Sequence, residues 1–147
     1  MKTYFITLLI VLCISGTNAA KAQTSLEISK TEQSIKKNGK YAMLVMKAQH
    51  LKAAIITGKE FKAKSPNIDF QVVICGELVK EISADSLLQA LVLEAIQNKE
   101  VKFLFCGLSI SQLKIDKNTL PKEVPITDNG LIYLFGLQEH GYKTIIL

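Results

Sequence analysis

Ile68-Asp69-Phe70-Gln71-Val72-Val73-Ile74-Cys75-Gly76 and Val101-Lys102-Phe103-Leu104-Phe105-Cys106-Gly107 decide the fold. Each is an apolar run of strand length closed by a glycine, and a run apolar on both faces suits a strand buried inside a parallel sheet. Tyr41 to Met46 (YAMLVM) is a third run of this kind. Between the runs the period changes. Leu51, Ala54, Ile55, Gly58 and Phe61 recur at helical spacing, with Lys52, Lys59, Glu60 and Lys62 between them. A second helical stripe joins Ala84, Leu87, Leu88, Leu91 and Ala95, with Leu93 off it and Ser83 or Asp85 available as its cap.

The alternation continues beyond Gly107. A segment with Ile110 and Leu113 leads to a loop around Pro121 and a short strand near Val124 to Ile126. Thr127 or Asp128 then opens a helix from about Asn129 to His140, which Gly141 stops in a left-handed conformation, and Thr144 to Leu147 forms a last strand. Strands alternating with helices imply right-handed crossovers. The expected architecture over residues 41–147 is therefore a three-layer α/β/α domain with a mostly parallel sheet of about five strands.

The start of the chain reads differently. Lys2 precedes an apolar run from Tyr4 to Ile14, followed by small and polar residues up to Ala22. A basic start, a short apolar segment and a small-x-small site form a secretory signal. Residues 1–22 are the expected signal peptide, cleaved after Ala22 and before Gln23, with a cut after Ala20 as the alternative. A lipid anchor on Cys13 is the rival reading, but Leu12 occupies the position where such signals want a small residue. No later stretch is long and apolar enough for a membrane helix. Residues 23–40 are polar and lysine-rich, with Leu26, Ile28 and Ile35 as their large apolar residues, and read as an N-terminal arm that is a tether or loosely docked. Export would make the protein periplasmic.

The formal net charge of the whole chain is +5, and loss of Lys2 and Lys21 with the leader brings it to +3. Lysines scattered among glutamates, without an arginine-rich stripe, argue against nucleic acid as a partner. Cleavage also leaves two cysteines, Cys75 and Cys106. In an oxidising compartment such a pair is either a structural disulfide or a pair of thiols kept free for a reason.

Both cysteines end an apolar strand and precede a glycine, so both open on the carboxyl edge of the sheet, where ligands bind in folds of this type. A thiol at the head of a helix meets unpaired backbone N–H groups, which favour the nucleophilic thiolate. His50, just after the first strand, shares that edge and is a candidate proton partner. Blander readings stand beside these. A cysteine at a strand end is often a small core residue. Neighbouring strands would allow a Cys75 to Cys106 disulfide. His50 then is an ordinary helix-start residue, and His140 interacts with the negative end of its helix. A metal site built from Cys75, Cys106 and His50 lacks a close ligand pair such as C-x-x-C. Common nucleotide, hydrolase and zinc-protease motifs are missing, and no cofactor is expected.

Val101 to Gly107, then Pro125, then Leu137-Gln138-Glu139-His140-Gly141-Tyr142 resemble the DsrE/DsrF-like family of small sulfur-relay proteins, in its exported branch. The similarity covers Tyr41 to Leu147. It implies a doubly wound, Rossmann- or flavodoxin-like fold, assembly into homo-oligomers (trimers or hexamers), and carriage of sulfur as a persulfide on the cysteine matching Cys106. Leu108-Ser109 stands here where exported members often have Asn-Thr, and Cys75 stands where many relatives have His before a glycine.

Two functions follow as expectations. In the first, Cys106 accepts sulfane sulfur from a donor protein or small thiol and passes it on, as a sulfur carrier or sulfurtransferase-like protein without a complete catalytic set, and Cys75 resolves or protects the persulfide. In the second, the chain is a non-catalytic oligomeric binding module with buried or bridged cysteines, using apolar helix surface such as Leu93.

Overall fold

The computed structural model describes residues 16–147, with side chains from residue 24 onward. The apolar run of the expected signal peptide lies outside the described residues. Helix α1 (Gly16–Gln33) runs through most of the segment read as an arm. Contacts one helical turn apart support it, from Thr31 Oγ1 to the Glu27 carbonyl and from Gln33 Nε2 to Ser29 Oγ. The chain divides after Lys36, and the α/β unit spans Lys37–Leu147.

That unit runs β1 (Lys40–Val45), α2 (Ala48–Lys64), β2 (Asp69–Ile74), α3 (Glu77–Ala84), α4 (Ser86–Gln97), β3 (Lys102–Cys106), α5 (Gly107–Gln112), a 3₁₀ turn (Lys117–Thr119), β4 (Ile126–Thr127), α6 (Gly130–Glu139) and β5 (Lys143–Ile146). All strand pairs are parallel, in the order β4-β3-β2-β1-β5. The three-layer α/β/α fold is present.

The order explains the layers. From β1 to β4 the chain always steps the same way across the sheet, so right-handed crossovers place α2 to α5 on one face. The step from β4 back to β5 reverses direction, which sends α6 to the other face. The two apolar clusters divide accordingly. Val45, Phe70, Val72, Ile74, Phe103 and Phe105 pack with Leu51 and Ala54 of α2, Leu78, Val79 and Ile82 of α3, and Leu88, Val92 and Ala95 of α4. Ala42, Leu44, Val73, Cys75 and Cys106 pack under Leu134 and Leu137 of α6. Phe61 of α2 ties its helix to the sheet through Tyr41 at 5.0 Å and, edge-on, Phe70 at 5.3 Å. Phe105 is fully buried, and its truncation to alanine would cost about 3–5 kcal/mol.

Some expectations change in detail. The segment after Gly76 forms α3, a separate helix before α4. Asp85 caps α4, accepting the amides of Leu87 and Leu88. The α4 stripe is Leu88, Val92 and Ala95, whereas Leu87 is 75% exposed because it falls on the outer side. Asn129, rather than Thr127 or Asp128, caps α6 through the Leu131 amide. Gly141 has φ 82, the left-handed stop expected.

Candidate functional site

In doubly wound sheets a crevice opens where the connections from two adjacent strands leave toward opposite faces. Here that point lies between β3, which continues into α5 on one face, and β4, which continues into α6 on the other. Cys106 is the last residue of β3 and pairs with Thr127 of β4. Its thiol is on the α6 face.

Register brings the second thiol alongside. Ile74 pairs with Phe105, so Cys75 and Cys106 follow as neighbours on adjacent strands, and both belong to the cluster under α6. Both are free thiols, 6% and 2% exposed. Three glycines make room for this corner. Gly76 has φ 62, which a side chain would strain. A Cβ on Gly107 would fall 2.5 Å from the Thr127 carbonyl oxygen, and one on Gly130 would fall 2.7 Å from Cys75 Sγ.

The two thiols differ sharply in proton affinity. Burial raises the proton affinity of Cys106, but the hydroxyl and amide of Ser109, the amide of Gly130 and the Cys75 thiol outweigh it and hold Cys106 below the ordinary thiol value. The Gly130 N–H donates to Cys106 Sγ at 3.3 Å, and Gly130 is the first residue of α6, where the helix dipole favours negative charge. Cys75 is pushed up to about 12 by burial and by the charge and hydrogen bonding of Cys106. The pair therefore gives up its first proton from Cys106 and keeps the second on Cys75.

Ser109, 8% exposed, stands out in the sequence only as a departure from the family pattern and is given no role there. It lies on the first turn of α5, three positions after Cys106, and its Oγ accepts the Gly76 amide at 2.9 Å. One hydroxyl thus ties the two Cys-Gly corners together. The available signal was a small hydroxyl residue at the third helical position after a cysteine at a strand end.

The expected proton partner is His50. It lies in the first turn of α2, with Nε2 3.3 Å from Gln49 Nε2 and Nδ1 enclosed without a hydrogen-bond partner. The groups acting on the Cys106 thiol are Ser109, Gly130 and Cys75. His140 Nδ1 lies 2.7 Å from the Gly136 carbonyl oxygen, at the carboxyl end of α6. Among the described residues, no three of His, Cys, Asp and Glu are placed to hold a metal ion.

A second polar cluster occupies the opposite end of the strands. Tyr142 donates to Asp69 Oδ2 at 2.7 Å and accepts from Gln71 Nε2 at 2.7 Å, while Tyr133 donates to Gln71 Oε1 at 2.9 Å. Lys102 completes it with a 2.9 Å bond to Asp69. A groove of about 610 Å³ runs beside it, lined by Asp69, Gln71, Lys102, Leu104, Pro125 and Tyr133 among others. The thiols are not among its lining residues.

No protein-family model and no curated protein matches the chain. Among solved structures, the chain is similar to a protein of unknown function from Methanobacterium thermoautotrophicum, with a TM-score of 0.62 and 18% sequence identity. The match covers 73% of this chain and 99% of the other, and at that identity it establishes a shared fold alone.

Proposed function

We propose that this is an exported sulfur-handling protein of the DsrE/DsrF-like type, in which Cys106 takes sulfane sulfur as a persulfide and hands it to an acceptor thiol. One observation carries the reading: Cys106 Sγ lies at the crevice between β3 and β4 and accepts the first amide of α6. The chemistry balances without a cofactor. The Cys106 thiolate attacks the outer sulfur of a persulfide or polysulfide donor, a new S–S bond forms, the donor's S–S bond breaks, and the electron pair leaves on the donor's inner sulfur. An acceptor thiolate repeats the displacement on the Cys106 persulfide. If Cys75 instead attacks the inner sulfur, a Cys75 to Cys106 disulfide forms and hydrogen sulfide is released, which makes Cys75 the resolving thiol.

Exposure of the full chain to inorganic polysulfide, followed by intact-mass measurement, tests this reading. Added sulfur that maps to Cys106 and vanishes in Cys106→Ala supports it. Equal loading of the Cys106→Ala chain rules it out.

A second reading has its own observation. The thiols are almost fully buried, while α6 exposes Leu131, Ile132 and Phe135 at 47%, 68% and 63%. Such a surface fits a non-catalytic binding module whose cysteines are packing residues.

A further inference from the structure

We infer that the free edge of β5 is a self-association surface, on which β5 of a second copy of this chain pairs antiparallel about a twofold axis. The inference is independent of what the thiols do.

Three features converge on this edge. The first is the backbone. Among the described residues β5 bonds to β1 alone, and the Leu147 amide donates to the Leu44 carbonyl. Alternate residues of a strand direct their N–H and C=O groups to the same side, so Thr144 and Ile146 direct theirs away from β1. These groups form an open ladder; β5 carries no proline, and its one charge, Lys143, stands at the start of the strand, before the outward-directed Thr144 and Ile146.

The second is apolar exposure on both faces of the strand. Ile145 shares the face of Met43, and Ile146 shares the face of Leu44. They are 54% and 58% exposed, with Leu147 at 38%. An occupant covering only one face would leave half of this surface wet, whereas a strand added to the edge extends both.

The third is the flank of α6. Gln138 Nε2 bonds Thr144 Oγ1 at 2.6 Å, which identifies the side of α6 that borders β5. Leu131 and Phe135 lie toward that side of the helix, with Ile132 next to them, while Tyr133 lies on the far side over Gln71. A twofold axis at the β5 edge would bring the two α6 flanks toward each other above the joined sheet. Such a contact is isologous, using the same patch on both copies.

The apolar area supplies most of what such an interface needs. At roughly 150–200 Å² for a fully exposed large apolar side chain, the exposures of Leu131, Ile132, Phe135, Ile145, Ile146 and Leu147 amount to roughly 500–650 Å² per copy. A stable interface buries about 800 Å² per partner, so the patch needs only a modest polar rim such as Gln138, Thr144 and Lys143.

The test is sedimentation of the purified full chain over a micromolar concentration series, beside Ile146→Pro and Phe135→Asp. Proline at 146 removes an outward amide and leaves the β1 ladder intact. The expected result is an even-numbered assembly, with dissociation raised at least about tenfold in each variant. If Ile146→Pro does not fold, hydrogen exchange decides in the unaltered chain: the Thr144 and Ile146 amides must become more protected as concentration rises. A monomer throughout the series, a strict trimer, association unchanged in the folded variants, or protection of those amides only when an unrelated peptide is added would each overturn the inference.

Discussion

The Gly130 amide donates to Cys106 Sγ at 3.3 Å, so the first residue of α6 closes directly over the thiol that ends β3. The same residue has no room for a side chain. Its added Cβ would lie 2.7 Å from Cys75 Sγ, 2.9 Å from Val73 Cγ1 and 3.1 Å from Cys106 Cβ.

Gly130→Ala therefore forces the start of α6 away from the sheet. The expected cost is about 1–3 kcal/mol, typical of overpacking a filled site. Urea unfolding measures it, and the variant's Cys106 should also alkylate faster, because the lid over it is displaced.

Ser109→Ala removes the acceptor of the Gly76 amide and one of the groups that favour the Cys106 thiolate. Stability should fall by about 1–2 kcal/mol, the usual consequence of an unpaired polar group. The midpoint of the Cys106 thiolate, followed by ultraviolet absorbance in a Cys13→Ser background, should rise. Ser109→Thr, which keeps a hydroxyl, should restore it.

Stability should decline in alkaline solution for a nameable reason. Cys75 titrates at about 12 in the folded chain against an ordinary 9.0, so the unfolded chain loses this proton first. The resulting stability is complete below about pH 9 and is lost as pH rises toward 12. Tyr142, pushed up to about 12 from 10.0 by burial and by Asp69, adds to the same decline. Cys106 has the opposite sign, because its folded value is depressed: its contribution is present above the ordinary thiol value and is lost as pH falls through the folded one. Urea midpoints measured across this range should show a shallower alkaline decline in Cys75→Ala.

At the other end of the strands, Tyr142→Phe leaves Asp69 Oδ2 without its hydroxyl donor and Gln71 Nε2 without an acceptor. A loss of about 1–2 kcal/mol near neutral pH is expected. Asp69 is held below its ordinary value of 3.8, because the Tyr142 and Lys102 hydrogen bonds outweigh burial. Its contribution is thus present above that value and disappears as pH falls through the folded one. The variant should accordingly lose less stability on acidification.

Much of this fold was legible because its strands are buried on both faces and end in glycine. The runs ending in Cys75 and Cys106 identify themselves, and Gly141 marks the end of α6. Other boundaries carry no such punctuation. After α4 and α5 the chain turns at Lys99 and Lys114, with φ 55 and 52, where a lysine takes the left-handed conformation usually given to glycine. The break between α3 and α4 is equally hidden, since Asp85 both ends one helix and caps the next. At the site, strand ends announced the two thiols. Their union with Ser109 and Gly130 depends on strand order and on α6 crossing to the other face, neither of which a local pattern encodes. His50 shows the converse: position after a strand placed it at the right edge, but did not bring it among the groups that act on Cys106.

The most direct test of Cys106 as the reacting thiol is intact-mass analysis of the native full chain, treated briefly with an alkylating probe before and after exposure to polysulfide. The folded protein should alkylate at Cys106 ahead of Cys75, and polysulfide should add sulfur at Cys106 that reductant removes. Thiols at positions 75 and 106 that react with neither reagent until the chain is unfolded would contradict it and leave the two cysteines as core residues.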